Sequence, residues 1–126
     1  MATDADLDRI ARALPGVTVG RYWDDDRAYL MERARGGRGL AQRRSPRRDE
    51  GTVDPATSEP FEDLIVVHTA TDEARAEALA SFPSEIVFTI PHFARSYAVL
   101  ARRSLISADD LQSLLQLAWE SKQRQR

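Results

Sequence analysis

The sequence predicts a two-layer α+β domain: a five-stranded antiparallel sheet with helices on one face, in the order α-β-β-β-α-β-β-α. Three observations favour this class. Apolar residues recur at helical spacing in three segments. β-Branched and aromatic residues cluster in five short runs, and short turns join two pairs of these runs as hairpins. The length of 126 residues fits a single domain, residues 1–126, with one modest core.

The first helix has the clearest pattern. Thr3 is predicted as its N-cap, with Asp6 three residues on, and Pro15-Gly16 is predicted to end it. The residues of its apolar face are Leu7, Ile10, Ala11 and Leu14.

The other two helices have similar signals. Thr71 is predicted to cap the second helix and Pro83 to end it. Ser107, with Asp110 three residues on, begins the third. Its apolar repeat runs from Leu111 to Trp119, and we expect residues 121–126 to fray.

Five strands are predicted between these helices. Asp24, Asp25 and Asp26 form the polar turn of the first hairpin. The continuous apolar run after residue 63 indicates a buried central strand. The predicted strands are Val17–Tyr22, 27–33, 63–69, 85–90 and 97–102.

The segment Pro91-His92-Phe93 is predicted to connect the last two strands. Pro91 lacks a backbone donor and fits a strand end, while Phe93 is expected to fold back over the edge of the core. Arg102 and Arg103 are successive strand residues, so their side chains should point to opposite faces. At most one of them can therefore join a basic surface on the helix-free side.

Residues 34–60 are predicted to be an irregular loop, because glycine, proline and charge dominate and helical periodicity is absent. Seven arginines and no acid lie between residues 33 and 48. The remaining residues carry 11 basic and 20 acidic side chains, a net charge of −9. The chain is therefore an acidic body with one basic segment.

Arginine pairs with phosphate and with guanine edges, so this segment makes DNA a candidate partner. Two alternatives to DNA binding remain for a basic loop attached to an acidic body. The loop folds back onto that body, or it is simply solvated. The candidate nucleic-acid-binding residues are Arg33, Arg35, Arg38, Arg43, Arg44, Arg47, Arg48, Arg95 and Arg102.

Catalytic, metal and cofactor sites have little support in the sequence. The chain has two histidines and no cysteine, and no local spacing supplies the carboxylates that a zinc site would need. Neither a nucleophile elbow nor a phosphate loop is present. We expect His68 to be structural and no residue to be catalytic. An enzyme using His92 with Arg95 or Arg102 to bind an anionic ligand is the remaining alternative.

The sequence predicts a cytoplasmic protein that does not enter a membrane. The first residues are acidic and amphipathic, unlike a secretory signal. No apolar run approaches the roughly 20 residues that a membrane helix needs.

Five motifs, in linear order, carry a resemblance to a known family. They are "ALPGVT", "AYLMER", "TDEARAEALA", "VFTIPHF" with "YAVLARR", and "SADDLQSLLQLAWES". In this order the chain resembles the MmcQ/YjbR family of small bacterial proteins over most of its length, least so in residues 35–60.

The resemblance implies a two-layer α+β domain with a five-stranded antiparallel sheet. It also implies DNA binding, a role given to the family by comparing its fold with a double-wing DNA-binding module. It implies no catalytic residue. The alternative is a protein–protein interaction module, because the same architecture resembles secretion-chaperone folds and a mixed-charge loop can dock on an acidic partner.

Overall fold

The computed structural model describes residues 1–22, 25–31, 38–44, 53–54, 56–93 and 95–123, and within these the side chains of all but residues 22, 25–27 and 92. Three α-helices and a six-stranded sheet form this part of the chain, which confirms the α+β class. The helices are α1 (Asp4–Ala13), α2 (Asp72–Ser81) and α3 (Ala108–Gln123). The strands are β1 (Val17–Tyr22), β2 (Asp25–Met31), β3 (Gly39–Arg43), β4 (Leu64–His68), β5 (Val87–Phe88) and β6 (Ala98–Arg102).

The sheet has the order β1-β2-β3-β4-β6-β5, and every neighbouring pair is antiparallel. The prediction of five strands was wrong, because β3 lies inside the segment expected to be irregular. Its sequence, GLAQR, contains no β-branched or aromatic residue. It is a strand because β2 and β4 pair with it on both sides, and such tertiary pairing overrides weak local propensity.

Helix α1 begins and ends as predicted. The Thr3 side chain accepts a hydrogen bond from the Asp6 amide (3.1 Å), and the Asp6 carboxylate accepts one from the Thr3 amide (3.0 Å). The chain leaves the helix after Ala13, and Gly16 adopts a φ of 80° in the turn that follows.

Helices α2 and α3 also begin at the predicted caps. Thr71 accepts from the Ala74 amide and Ser107 from the Asp110 amide, each at 3.0 Å. The expectation that the chain frays from residue 121 was wrong, because α3 continues to Gln123 and buries both Ser121 and Lys122.

The two faces of the sheet are covered differently. On one face, residues such as Ile65 and Val67 of β4 join a core with the buried sides of the helices. On the other face, Val66 of β4 and Leu100 of β6 lie beneath Phe93. Phe93 is only 4% exposed, which confirms that it folds back over the core. It belongs to a 3₁₀ turn, Pro91–Phe93, that connects the antiparallel strands β5 and β6.

None of the helices in the described part of the chain is both long enough and apolar enough to span a bilayer.

Candidate nucleic-acid interface

The strand register divides the candidate arginines between two ends of the sheet. At one end, Arg43 of β3 lies beside the start of β4, where Leu64 pairs with Arg102 of β6. At the other end, Arg38 precedes β3 and the His68–Ala98 pair closes β4 and β6. We call these the Arg43 end and the Arg38 end. Five strand steps separate them, about 16 Å between the Cα atoms of Arg38 and Arg43.

The Arg38 end presents exposed cations. Arg38 is exposed, and its carbonyl oxygen accepts a hydrogen bond of 2.8 Å from the Met31 amide, which fixes its backbone beside β2. Arg95 is exposed in the loop that leads into β6. Tyr97, two residues further on, is 41% exposed. This end therefore combines two guanidinium groups with a phenol, all side chains that bind phosphate in protein–DNA complexes.

At the Arg43 end, one carboxylate binds two arginines. Nη1 of Arg43 lies 2.8 Å from one oxygen of Asp4, and Nε of Arg103 lies 3.2 Å from the other. Arg103 also donates to the carbonyl oxygen of Ala2 at 3.3 Å. These contacts join β3 and the end of β6 to the start of α1.

The Arg102 side chain contacts two neighbours, Asp63 and Phe61. Its Nε lies 2.9 and 3.1 Å from the two oxygens of Asp63, and its guanidinium lies 4.3 Å from the centre of the Phe61 ring. The amide and hydroxyl of Ser104 also donate to Asp63. Burial opposes ionisation of Asp63, but the hydrogen bonds from Ser104 and Arg102 outweigh it and lower the pKa of this carboxyl.

Arg103 was predicted as a strand residue, but β6 ends at Arg102 and Arg103 lies in the turn after it. The predicted divergence of the two side chains is nevertheless confirmed. Arg102 contacts Phe61, which packs against the core on the helix-free face, whereas Arg103 contacts Asp4 at the start of α1. Only Arg102 lies on the helix-free side, and there it binds Asp63.

Arg44 lies in the interior. It is 4% exposed, and its guanidinium carbon lies 5.0 Å from the centre of the Phe93 ring. Its side chain is therefore not part of the surface that a duplex could meet. The other four candidates lie outside the described residues: Arg33, Arg35, Arg47 and Arg48.

His68 belongs to a polar cluster that the sequence did not reveal. Its Nε2 lies 2.9 Å from Oε1 of Gln42, which is fully buried in β3. Burial, with a smaller contribution from the charge of Lys122, lowers the pKa of His68 to about 4. Lys122 is itself fully buried, which lowers its pKa to about 8. The sequence did contain one indication that Lys122 is buried, because it lies four residues after Ala118 and therefore on the apolar face of α3.

Among the described residues, no three histidine or acidic side chains come close enough to hold a metal ion. The prediction that Asp24, Asp25 and Asp26 form a polar turn was wrong for two of the three, because β2 begins at Asp25 and pairing with β1 extends to the Tyr22–Asp25 pair. Asp24 lies outside the described residues, and so does the side chain of His92.

The structure thus adds two residues that the sequence analysis did not assign to a site, namely Asp4 and Asp63. Their contacts join residues 39 or more positions apart, so no local spacing predicts them.

The protein is thus a small α+β domain. Its sheet has exposed arginines at one end and arginines paired with acids at the other. No protein-family model, curated protein or solved structure matches this chain.

Proposed function

We propose that this chain is a non-enzymatic domain that binds duplex DNA through the phosphate backbone, as its resemblance to the MmcQ/YjbR family implies. The observation that carries the proposal is the exposure of Arg38 and Arg95 at the same end of the sheet. Arg38 is also the last of the three arginines between β2 and β3, so positive charge is concentrated in this connection.

We assign the DNA contacts to the Arg38 end, because the arginines at the Arg43 end already have partners within the protein. Asp4 pairs with Arg43 there, Asp63 pairs with Arg102, and Arg44 is buried. Arg38 and Arg95 alone predict a log–log salt slope of roughly −2, and each further arginine on a phosphate adds about −0.9. Because phosphate contacts carry no sequence information, the binding should depend strongly on salt and weakly on sequence.

The experiment is a titration of a 20-base-pair duplex at several salt concentrations, read by fluorescence anisotropy. The test variant is R38A/R95A. The control is R9A/R12A, which removes the same charge from the exposed face of α1, where these arginines pair with acids of their own helix. We expect R38A/R95A to weaken binding about tenfold or more and to make the slope less negative by about 2. The control should change affinity by less than about threefold.

Two results would overturn the proposal. One is the absence of binding by the unmodified chain at micromolar protein and low salt. The other is an equal loss in both double variants, which would mean that only net charge matters.

A protein-binding role is the second candidate, and one observation favours it. β1 is an edge strand, and Val19 on it is 40% exposed, so a partner could add a strand there. A pull-down with and without nuclease separates the two roles. A partner that survives nuclease and is lost in Val19→Lys supports protein binding, whereas one lost with nuclease supports DNA.

A further inference from the structure

We propose that Arg43 and Arg103 form a second phosphate-binding site and that the Asp4 carboxylate occupies it in the free protein. This inference rests on the proposed function, because it concerns how the same domain engages phosphate. It assigns the site to a phosphate oxyanion and gives Asp4 the role of an intramolecular competitor.

The geometry at Asp4 is that of an oxyanion between two arginines. Each carboxylate oxygen binds a different guanidinium group, with Arg43 at 2.8 Å and Arg103 at 3.2 Å. A phosphate group presents paired oxygens in the same way and is a strong partner for arginine. The two arginines come from β3 and from the residue after β6, which flank β4. Arg43 lies beside Ile65 while Arg103 lies beside Asp63, so their backbones lie about 12 Å apart. A single anion can therefore reach both guanidinium groups.

Another anion can displace the Asp4 carboxylate from the two arginines. The Asp4 side chain is 50% exposed, that of Arg43 is 49% exposed, and that of Arg103 is 27% exposed. Exposed ion pairs contribute little to stability and are weakened by salt. A second anion can therefore compete for both arginines.

Open space lies beside Asp4 and Arg43, although Arg103 does not line it. A surface depression of about 570 Å³ is lined by Asp4, Ala5, Asp8, Tyr29 and Arg43. Asp8 is the other acid facing it, and its carboxylate accepts a hydrogen bond of 3.0 Å from the Tyr29 hydroxyl and lies 3.4 Å from Arg12.

The pair of Arg102 and Asp63 differs from this arrangement. Asp63 is only 12% exposed in its side chain and accepts two further hydrogen bonds from Ser104. That carboxylate is fixed by the fold, whereas Asp4 is held by the two arginines at the surface. Nor does α1 depend on Asp4 for its cap, since Thr3 and Asp6 form the capping box.

The test is D4N, and Asp72→Asn is its matched control. Asp4 and Asp72 are each the first residue of a helix capped by threonine, and both are exposed. The two variants therefore change the net charge and the helix terminus equally. They differ in that Asp4 contacts Arg43 and Arg103. D4N/R43Q reports whether any gain depends on Arg43.

Two probes separate this inference from the proposed function: the 20-base-pair duplex by anisotropy, and inorganic pyrophosphate by calorimetry. We expect D4N to bind both probes about fivefold more tightly than D72N, and to make the duplex salt slope more negative by about 1 to 2. In D4N/R43Q the gain should disappear. If D4N lowers thermal stability, Asp4→Ser is the replacement variant, because serine also suits a helix start. It should show the same gain in affinity as D4N.

The outcomes are distinguishable. Equal affinity of D4N and D72N for pyrophosphate, or a gain that persists in D4N/R43Q, overturns the inference while leaving duplex binding at the Arg38 end intact. If the unmodified chain fails to bind the duplex but D4N binds pyrophosphate through Arg43, the proposed function fails and the phosphate site stands.

Discussion

The indole nitrogen of Trp119 donates a hydrogen bond of 2.9 Å to the carbonyl oxygen of Pro15. This bond joins α3 to the turn that follows α1, across 104 positions of sequence. The turn can present that carbonyl because Gly16, the next residue, adopts a left-handed backbone conformation. A glycine in the turn after α1 thus supports a contact between that turn and the last helix.

Gly16→Ala should lower the free energy of unfolding by about 1 kcal/mol, because an L-residue with a side chain disfavours a φ of 80°. A Cβ atom at this position would meet no neighbour within 4 Å, so the cost should come from the backbone alone. Gly16→Asn should cost less, since asparagine tolerates the left-handed region. Urea denaturation of both variants measures the difference, and an equal cost would contradict the backbone explanation.

Asp63→Ala should destabilise the fold by about 2 to 3 kcal/mol, because it leaves Arg102 and the Ser104 donors without their largely buried acceptor. The neighbouring exposed acid provides the control, and Glu62→Ala should change stability by less than about 0.5 kcal/mol.

The contribution of Asp63 should also depend on pH. Its pKa is lowered in the folded state, so the stabilisation is present above the unfolded pKa near 3.8 and is lost as the pH falls through the lower folded value. Urea midpoints at pH 7 and in acid should therefore converge for the original chain and D63A. A gap that stays constant into strong acid would count against this account.

His68 should make the fold less stable in mild acid. Its pKa falls from 6.5 to about 4 on folding, so the folded state disfavours the protonated ring. The free energy of unfolding should therefore decrease as the pH drops from about 6.5 to about 4, by a total of about 3 kcal/mol. His68→Gln should lack this slope. NMR titration of the imidazole, assigned with His92→Gln, checks the cause directly, and a pKa of 6 or above would rule it out.

Phe93→Ala should cost about 3 kcal/mol, because it uncovers the core beneath it and removes the ring that lies against Arg44. Phe93→Leu keeps most of the volume and should cost closer to 1 kcal/mol. Tyr97→Ala, an exposed aromatic four residues away, is the control and should be nearly neutral. Thermal unfolding ranks the three variants, and equal effects of F93A and Y97A would show that Phe93 does not support the core.

Local signals predicted the helices well. Each cap joins residues three positions apart, Thr3 with Asp6, Thr71 with Ala74 and Ser107 with Asp110, so the capping pattern is readable along the chain. β3 was missed because its partners lie elsewhere in the sequence, and its own composition resembles a loop. The fully buried positions of Gln42 and Lys122 were missed for the same reason, since polar side chains in the interior are decided by what packs around them.

By itself, the sequence determined the α+β class, the helix caps, the return of Phe93 over the core and the divergence of Arg102 and Arg103. These depend on periodicity and on contacts between near neighbours. Only the tertiary structure decided which arginines are exposed. An ion pair such as Asp4 with Arg43 depends on two distant segments meeting at one end of a sheet. Charge counted along a chain therefore could not show that Arg38 and Arg95 are exposed at one end while acids bind Arg43 and Arg102 at the other.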